Sequence, residues 1–213
     1  MVNELDFWGN PIKEIPCRSD WVGDKHSIFV SLGSSNHTSK KRAADDYYAT
    51  PPEAVGMLLK LETFRDRILE PCVGGGHIAS MLQQNGKTVL ARDIVDRGFP
   101  NTTIADFLKC TAKGLEMDII TNPPYNCALE FCQKALEVIA QGCKVAMFLK
   151  LTFAEGKARR RFFNESPPMR VWVSSSRLTC GKNGVQWDPS AVCYAWWIWV
   201  KGFKGPTEMK WFN

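Results

Sequence analysis

RDRILEPCVGGGHIASMLQQNGKTVLARD, residues 65–93, decides how the chain is to be read. Residues 65–71 carry a short apolar run and predict a strand. Gly74, Gly75 and Gly76 permit a tight turn and a close backbone approach before a helix that runs through about Asn85. Residues 86–93 predict a second strand, ending on Asp93. A strand, a helix and a strand in succession imply parallel strands joined by a right-handed crossover.

The same alternation extends in both directions. Upstream, PPEAVGMLLKLETF (51–64) opens with prolines suited to a first helical turn and sets Val55, Leu58, Leu59 and Glu62 on one side. Residues 1–46 lack sustained periodicity, end in the basic SSNHTSKKR (34–42), and are expected to form an irregular extension before a domain at 47–213. Downstream, 101–107 and 117–122 predict a third and a fourth strand, and 127–140 a helix with apolar residues at 128, 131, 132, 135, 136 and 139. Residues 144–151 predict a fifth strand and 154–165 a basic helical segment. MRVWVSSS (169–176) and AVCYAWWIWV (191–200) have no helical pattern between them. They are expected to pair antiparallel, as a hairpin at one edge of the sheet, across the long loop 177–190.

With 213 residues, 45% of them hydrophobic, the chain is long enough for one sizeable globular core. A net charge of +5 attracts polyanions only mildly and decides nothing alone. The eight cysteines form no CxxC pair and the three histidines are not spaced to complete a zinc site with them, so no metal is expected. Scattered thiols fit a reducing, cytoplasmic setting. No apolar stretch is long enough for a signal peptide or a membrane span, and 191–200 reads as a buried strand.

In sheets of this kind ligands sit beyond the carboxyl ends of the strands, and the unusual residues fall there. Glu70-Pro71-Cys72-Val73-Gly74-Gly75-Gly76 ends the first strand; no Gly-Lys-Ser/Thr follows, so it is not a phosphate loop. Asp93 stands at the distance from the glycines at which a carboxylate accepts both hydroxyls of a ribose, whereas a lone loop Asp is ordinarily just solvated. Asp106-Phe107 offers an acceptor for an exocyclic amine beside an aromatic face. Asn122-Pro123-Pro124-Tyr125 ends the fourth strand in a rigid turn whose prolines lack N–H donors. The Asn122 amide oxygen and the Pro123 carbonyl can converge on one NH2 group, with Tyr125 as a flat surface for a planar ring.

Together these four segments resemble the class I S-adenosylmethionine-dependent methyltransferases, specifically the amino-methyltransferase branch with an Asp/Asn-Pro-Pro-Tyr/Phe/Trp motif. Tyr48-Ala49-Thr50-Pro51 is similar to the segment that closes over the methionine end of the cofactor in adenine methyltransferases with this motif order. The likeness covers about residues 47–200. Within the branch the chain most resembles the small phage- and prophage-borne DNA N6-adenine methyltransferases, its closing strand YAWWIWVKG included.

The resemblance implies a Rossmann-like α/β sheet, mostly parallel, with helices on both faces, and S-adenosylmethionine as cofactor. It implies that Tyr48, Thr50, Pro51, Glu70, Pro71, Gly74 and Gly76 surround the methionine end. Asp93 would hold the ribose, Asp106 and Phe107 the adenine, and Asn122 would touch both cofactor and acceptor. Asn122, Pro123, Pro124 and Tyr125 become the catalytic segment for an adenine N6 amine, of DNA before RNA. Lys157, Arg159, Arg160 and Arg161 follow the fifth strand on the side where the ligands of such sheets sit, and read either as a surface that meets the phosphates of a nucleic acid or as an ordinary solvated helix face. A bacterial or phage-infected cytoplasm is the expected setting. RNA adenine and the side-chain amide of protein glutamine also present a planar NH2, and a non-catalytic binding module is a rival of another class. The Glu-Pro opening of the glycine segment departs from the Asp-Leu-Gly-Thr-Gly form usual in glutamine methyltransferases, and the intact Asn122 and prolines speak against a decayed site. Too few residues follow Tyr125 for a separate target-recognition domain. The N-terminal segment, the basic segment and loop 177–190, with Trp187, are left to supply specificity; His77 is assigned only a packing or capping role.

Overall fold

The computed structural model describes residues 48–176, 178, 181–182 and 192–213; the expected N-terminal extension and Trp187 lie outside them. In chain order the elements are β1 (Tyr48–Ala49), α1 (Pro52–Leu61), β2 (Arg67–Glu70), α2 (His77–Gln84), β3 (Thr88–Asp93) and β4 (Thr103–Ile104). β5 (Asp118–Thr121), α3 (Ala128–Val138), β6 (Lys144–Lys150), α4 (Lys157–Glu165) and β7 (Arg170–Ser174) follow, then β8 (Gly181–Lys182), β9 (Tyr194–Val200) and β10 (Glu208–Phe212).

Eight strands form one sheet in the order β10-β7-β9-β6-β5-β2-β3-β4. Only β9 runs against its neighbours, pairing antiparallel with both β6 and β7. Its side chains alternate between two cores: Tyr194, Trp196 and Ile198 pack on one face of the sheet, Ala195, Trp197 and Trp199 on the other. β6 does the same, with Ala146 and Phe148 on the first face and Val145, Met147 and Leu149 on the second. Strands buried on both faces read as continuous apolar runs, which is why these were visible in sequence. α1 and α2 cover the first face through Val55, Leu58, Ile78 and Leu82; α3 and α4 cover the second through Phe131, Ala135 and Phe162.

Three sequence expectations are corrected, and one strand, β10, was not anticipated. The hairpin of β7 and β9 exists, but β9 inserts between β6 and β7, and the edge is β10, parallel to β7. β10 leaves Met209 and Trp211 exposed and buries only Phe212, too weak an alternation to stand out in sequence. The third strand is two residues long, and no helix follows β3 or β4, only a 3-10 turn at Phe107–Lys109. α1 stops at Leu61 because Glu62 turns into extended backbone and is buried against three donors. Lys144 Nζ reaches Glu62 Oε2 at 2.8 Å, and Trp172 Nε1 and Arg170 Nη1 reach Oε1, the former at 3.0 Å. Burial acts to raise the Glu62 pKa, but the bonds from Lys144, Trp172 and Arg170 outweigh it and hold the carboxyl below its ordinary value. This ties α1 to the starts of β6 and β7. Among the described residues no helix is long and apolar enough to cross a membrane.

Candidate functional site

The strand order reverses between β2 and β5, and beyond the carboxyl ends of these strands lies a cavity of about 220 Å³. Its lining brings together Pro71, Asp93, Asp106, Phe107 and Pro124 of the residues anticipated from sequence. Cys72, Ile94, Arg97 and Ala105 also line it and were not anticipated. Ile94 is 63% exposed, an aliphatic face directly after Asp93 whose only sequence signal is that adjacency. Phe107 is 2% exposed and packs its ring on Phe131, which also lines the cavity. Two carboxylates and apolar walls suit a nucleoside, whose hydroxyls and amine donate and whose ring is flat.

The glycine turn is fastened to β3. Gly74 N donates to Asp93 Oδ2 at 2.8 Å and Val95 N to Oδ1 at 3.0 Å, which fixes the buried carboxylate at the cavity wall with lone pairs to spare. Gly76 has φ +84°, and a Cβ there would lie 1.9 Å from the Phe99 ring. The close approach that requires this glycine is therefore made by a side chain of the protein itself. Glu70 is 1% exposed and its Oε2 has no hydrogen-bond partner among the described residues. Burial pushes its carboxyl well above the usual range; a backbone bond from Ala79 opposes this and Asp93 adds to it. Among the described residues Glu70 Oε2 is thus a buried polar atom without a partner, beside the glycine turn. Glu70, Gly74 and Gly76 support the cavity without lining it.

The amide of Asn122 donates through Nδ2 to the Tyr48 carbonyl at 2.8 Å and to Thr50 Oγ1 at 3.0 Å. Both donors are thereby spent, and what the amide has left to offer is its Oδ1 acceptor. Thr50 is 3% exposed and acts here as a partner of Asn122, with Pro51 next to it leading into α1. The prolines divide their roles. The Pro124 carbonyl accepts from Cys127 N and Cys127 Sγ, while no backbone bond among the described residues reaches the Pro123 carbonyl. The Tyr125 ring stacks on Tyr48 with centroids 5.2 Å apart, and Lys150 Nζ lies 4.8 Å from its centroid. β1, which carries Tyr48, pairs antiparallel with β8, Tyr48 opposite Lys182 and Ala49 opposite Gly181.

The four basic residues lie on α4, after a 3-10 turn at Leu151–Ala154 that leaves β6. Lys157 and Arg160 are exposed, Arg161 is paired with Glu165 at 2.8 Å, and Arg159 is half-buried with its guanidinium over Phe153. Among the described residues no three His, Cys, Asp or Glu side chains group as a metal site.

No protein-family model matches the sequence, and no curated protein matches it either. Solved structures do. A Pyrococcus horikoshii protein put forward as an RNA methyltransferase superposes with TM-score 0.56 at 15% identity, over 84% of this chain and 100% of that one. A class I S-adenosylmethionine-dependent methyltransferase assignment from Listeria monocytogenes gives 0.54 at 12% identity, over 89% and 71%. The methyltransferase subunit of a type I restriction-modification system from Streptococcus thermophilus gives 0.55 at 15% identity, over 76% of this chain but only 46% of the subunit. Strand order, the single reversed strand and these superpositions agree that the chain has the Rossmann-like fold of the class I methyltransferases.

Proposed function

We propose that the protein is an S-adenosylmethionine-dependent methyltransferase that methylates the N6 amine of adenine in nucleic acid, DNA in the first place, in a bacterial or phage-infected cytoplasm. The observation that carries this is the fixed amide of Asn122. With Nδ2 bound to Tyr48 and Thr50, rotating the amide would set Oδ1 against the Tyr48 carbonyl, acceptor against acceptor. Oδ1 is thus preorganised to accept, beside the Pro123 carbonyl, in a turn that suits an NH2 group and not an anion.

Bound S-adenosylmethionine supplies an electrophilic methyl group. The residues in place to hold its nucleoside are Asp93 for ribose hydroxyls, Asp106 for the adenine amine and Ile94 for the ring; Glu70 suits the ammonium. The acceptor amine of adenine is a poor nucleophile because its lone pair is delocalised into the ring. Hydrogen bonds from that amine to Asn122 Oδ1 and the Pro123 carbonyl favour a tetrahedral nitrogen, freeing the lone pair. The contribution of the chain is positioning and electrostatic preorganisation. In duplex DNA the base must leave the stack, and Tyr125 offers the surface on which it rests.

Nucleic acid is favoured by the likeness to a protein put forward as an RNA methyltransferase and to a restriction-modification subunit. The choice of DNA rests on the NPPY-centred resemblance. The test is incubation with methyl-labelled S-adenosylmethionine and DNA, RNA and protein acceptors, with Asn122→Ala as control. Label in DNA that depends on Asn122 is expected. Label in RNA alone or in protein alone overturns the substrate, and label that survives the substitution overturns the mechanism.

A further inference from the structure

Among the described residues no helix joins β3 to β4, and the loop at 94–102 makes the connection. The loop reaches the carboxylate-bearing cavity with its first half: Ile94 and Arg97 are part of the cavity wall, and Phe99 is not. The bonds of Val95, Gly98 and Thr102 are local. Val95 N donates to Asp93 Oδ1 at 3.0 Å, Gly98 N to Asp96 Oδ1 at 2.9 Å and Thr102 Oγ1 to the Phe99 carbonyl at 2.7 Å. All three stay between residues 93 and 102 and shape the loop without tying it to another element.

Phe99 reaches further. It packs on a small third core made of Val73 from the glycine turn, Ala79 from α2 and Ala91 from β3, all of them buried. Its ring stands so close to Gly76 that a Cβ there would lie 1.9 Å away, which only a residue without a side chain permits. The same turn is held from its other end by Gly74 N on Asp93 Oδ2. Asp93 and Phe99 thus fasten the glycine turn to the two ends of one stretch of chain, and Ile94 lies within that stretch. Ile94 is 63% exposed, an open aliphatic face on a wall that also carries Asp93 and Asp106. With no helix to carry it, its place depends on where the loop is anchored.

We propose, resting on the reading of this cavity as the nucleoside site of S-adenosylmethionine, that Phe99 is a positioning residue for the cofactor. Packed against Gly76, it fastens the loop so that Ile94 stands at the wall where the nucleoside binds. Phe99 acts through Ile94, so its effect falls on the hold on the nucleoside and not on the transfer of the methyl group.

The test measures, by calorimetry, binding of S-adenosylmethionine and of methylthioadenosine, which has the nucleoside without the amino acid. The wild type is compared with Phe99→Ala, Phe99→Leu, Ile94→Ala and the double variant of Ile94→Ala with Phe99→Ala. Phe99→Ala is expected to weaken both ligands by the same factor, roughly five- to tenfold, while kcat at saturating cofactor stays at the wild-type level. Phe99→Leu, which keeps a branched apolar group against Gly76, recovers most of the affinity. In the double variant the two losses do not multiply, because an unanchored loop no longer presents position 94. Phe99→Val takes the place of Phe99→Ala, with the same outcomes, if the latter melts below the assay temperature. Wild-type affinity in Phe99→Ala overturns this proposal alone, as does a loss for S-adenosylmethionine that methylthioadenosine does not share. Losses that multiply in the double variant overturn the action through Ile94, and with it the proposal. A wild type that binds neither ligand overturns the reading of the cavity and this proposal with it.

Discussion

Replacing Thr50 by Val exchanges a hydroxyl for a methyl group at a site that is 3% exposed, with nearly the same shape. Packing is kept and one bond is lost, the 3.0 Å contact through which Thr50 Oγ1 accepts from Asn122 Nδ2. The amide is left with its 2.8 Å bond to the Tyr48 carbonyl and one N–H without an acceptor. A buried donor stripped of its partner costs about 1–3 kcal/mol, and the amide recovers part of this by rotating. Its preference for presenting Oδ1 thus falls by about 1–2 kcal/mol, which corresponds to a rate lower by roughly 5- to 30-fold. Initial rates of methyl transfer over both substrates, with cofactor affinity measured separately, check this. The loss is expected in kcat while affinity for S-adenosylmethionine holds, and Thr50→Ser should recover most of the rate. A Val variant that keeps the wild-type kcat, or one whose main defect is cofactor binding, would refute the assignment of Thr50 to Asn122.

Other substitutions test the frame around the site. Glu62→Ala leaves Lys144 and Arg170 part-buried without their shared carboxylate, and a loss of about 3 kcal/mol is expected in denaturant unfolding. Because the folded-state pKa of Glu62 is lowered, its contribution is present above the unfolded carboxylate value and lost as pH falls through the folded one; the Ala variant should therefore show a shallower acid limb. Glu70 has the opposite sign. Its raised pKa means the folded state holds a proton the unfolded state gives up, so stability declines as pH rises above the unfolded value, and Glu70→Gln should raise the melting temperature of the cofactor-free protein most at alkaline pH. Gly76→Ala combines left-handed strain with collision against Phe99 and should cost about 2–4 kcal/mol; Phe99→Ala in the same chain should relieve the collision but not the strain, leaving a measurable coupling energy between the two sites.

The sequence was most legible where chemistry and burial were both local. β6 and β9 face a core on each side, so their composition alone announces them, and the two prolines after Asn122 dictate a rigid turn whatever surrounds it. β4 and β10 lie at the sheet edges, the first only two residues long and both mostly exposed, and leave little pattern behind. The end of α1 escaped because Glu62 is recruited by donors 82 to 110 residues away. Asp93 could be placed from its spacing, but its use as the anchor of the glycine turn depends on a contact across 19 residues. Thr50 was placed by resemblance near the cofactor. Its bond to Asn122 spans 72 residues and appears only once the chain is folded, as does the position of Lys150 over Tyr125.

The pairing of Tyr48–Ala49 with Gly181–Lys182 has a kinetic corollary. Two rungs of antiparallel ladder are a weak hold, because a short two-stranded ribbon is marginal when left to itself. Yet one of the two acceptors that aim the Asn122 amide, the Tyr48 carbonyl, belongs to one of those two residues, so part of the hold on the amide is only as durable as the clasp. Without that pairing Tyr48 would keep its stacking on Tyr125 and the amide its bond to Thr50, but the carbonyl would lose its anchor. Turnover should accordingly respond to substitutions at positions 181 and 182, which need never touch a substrate, in proportion to how they change the fraction of time the clasp is shut.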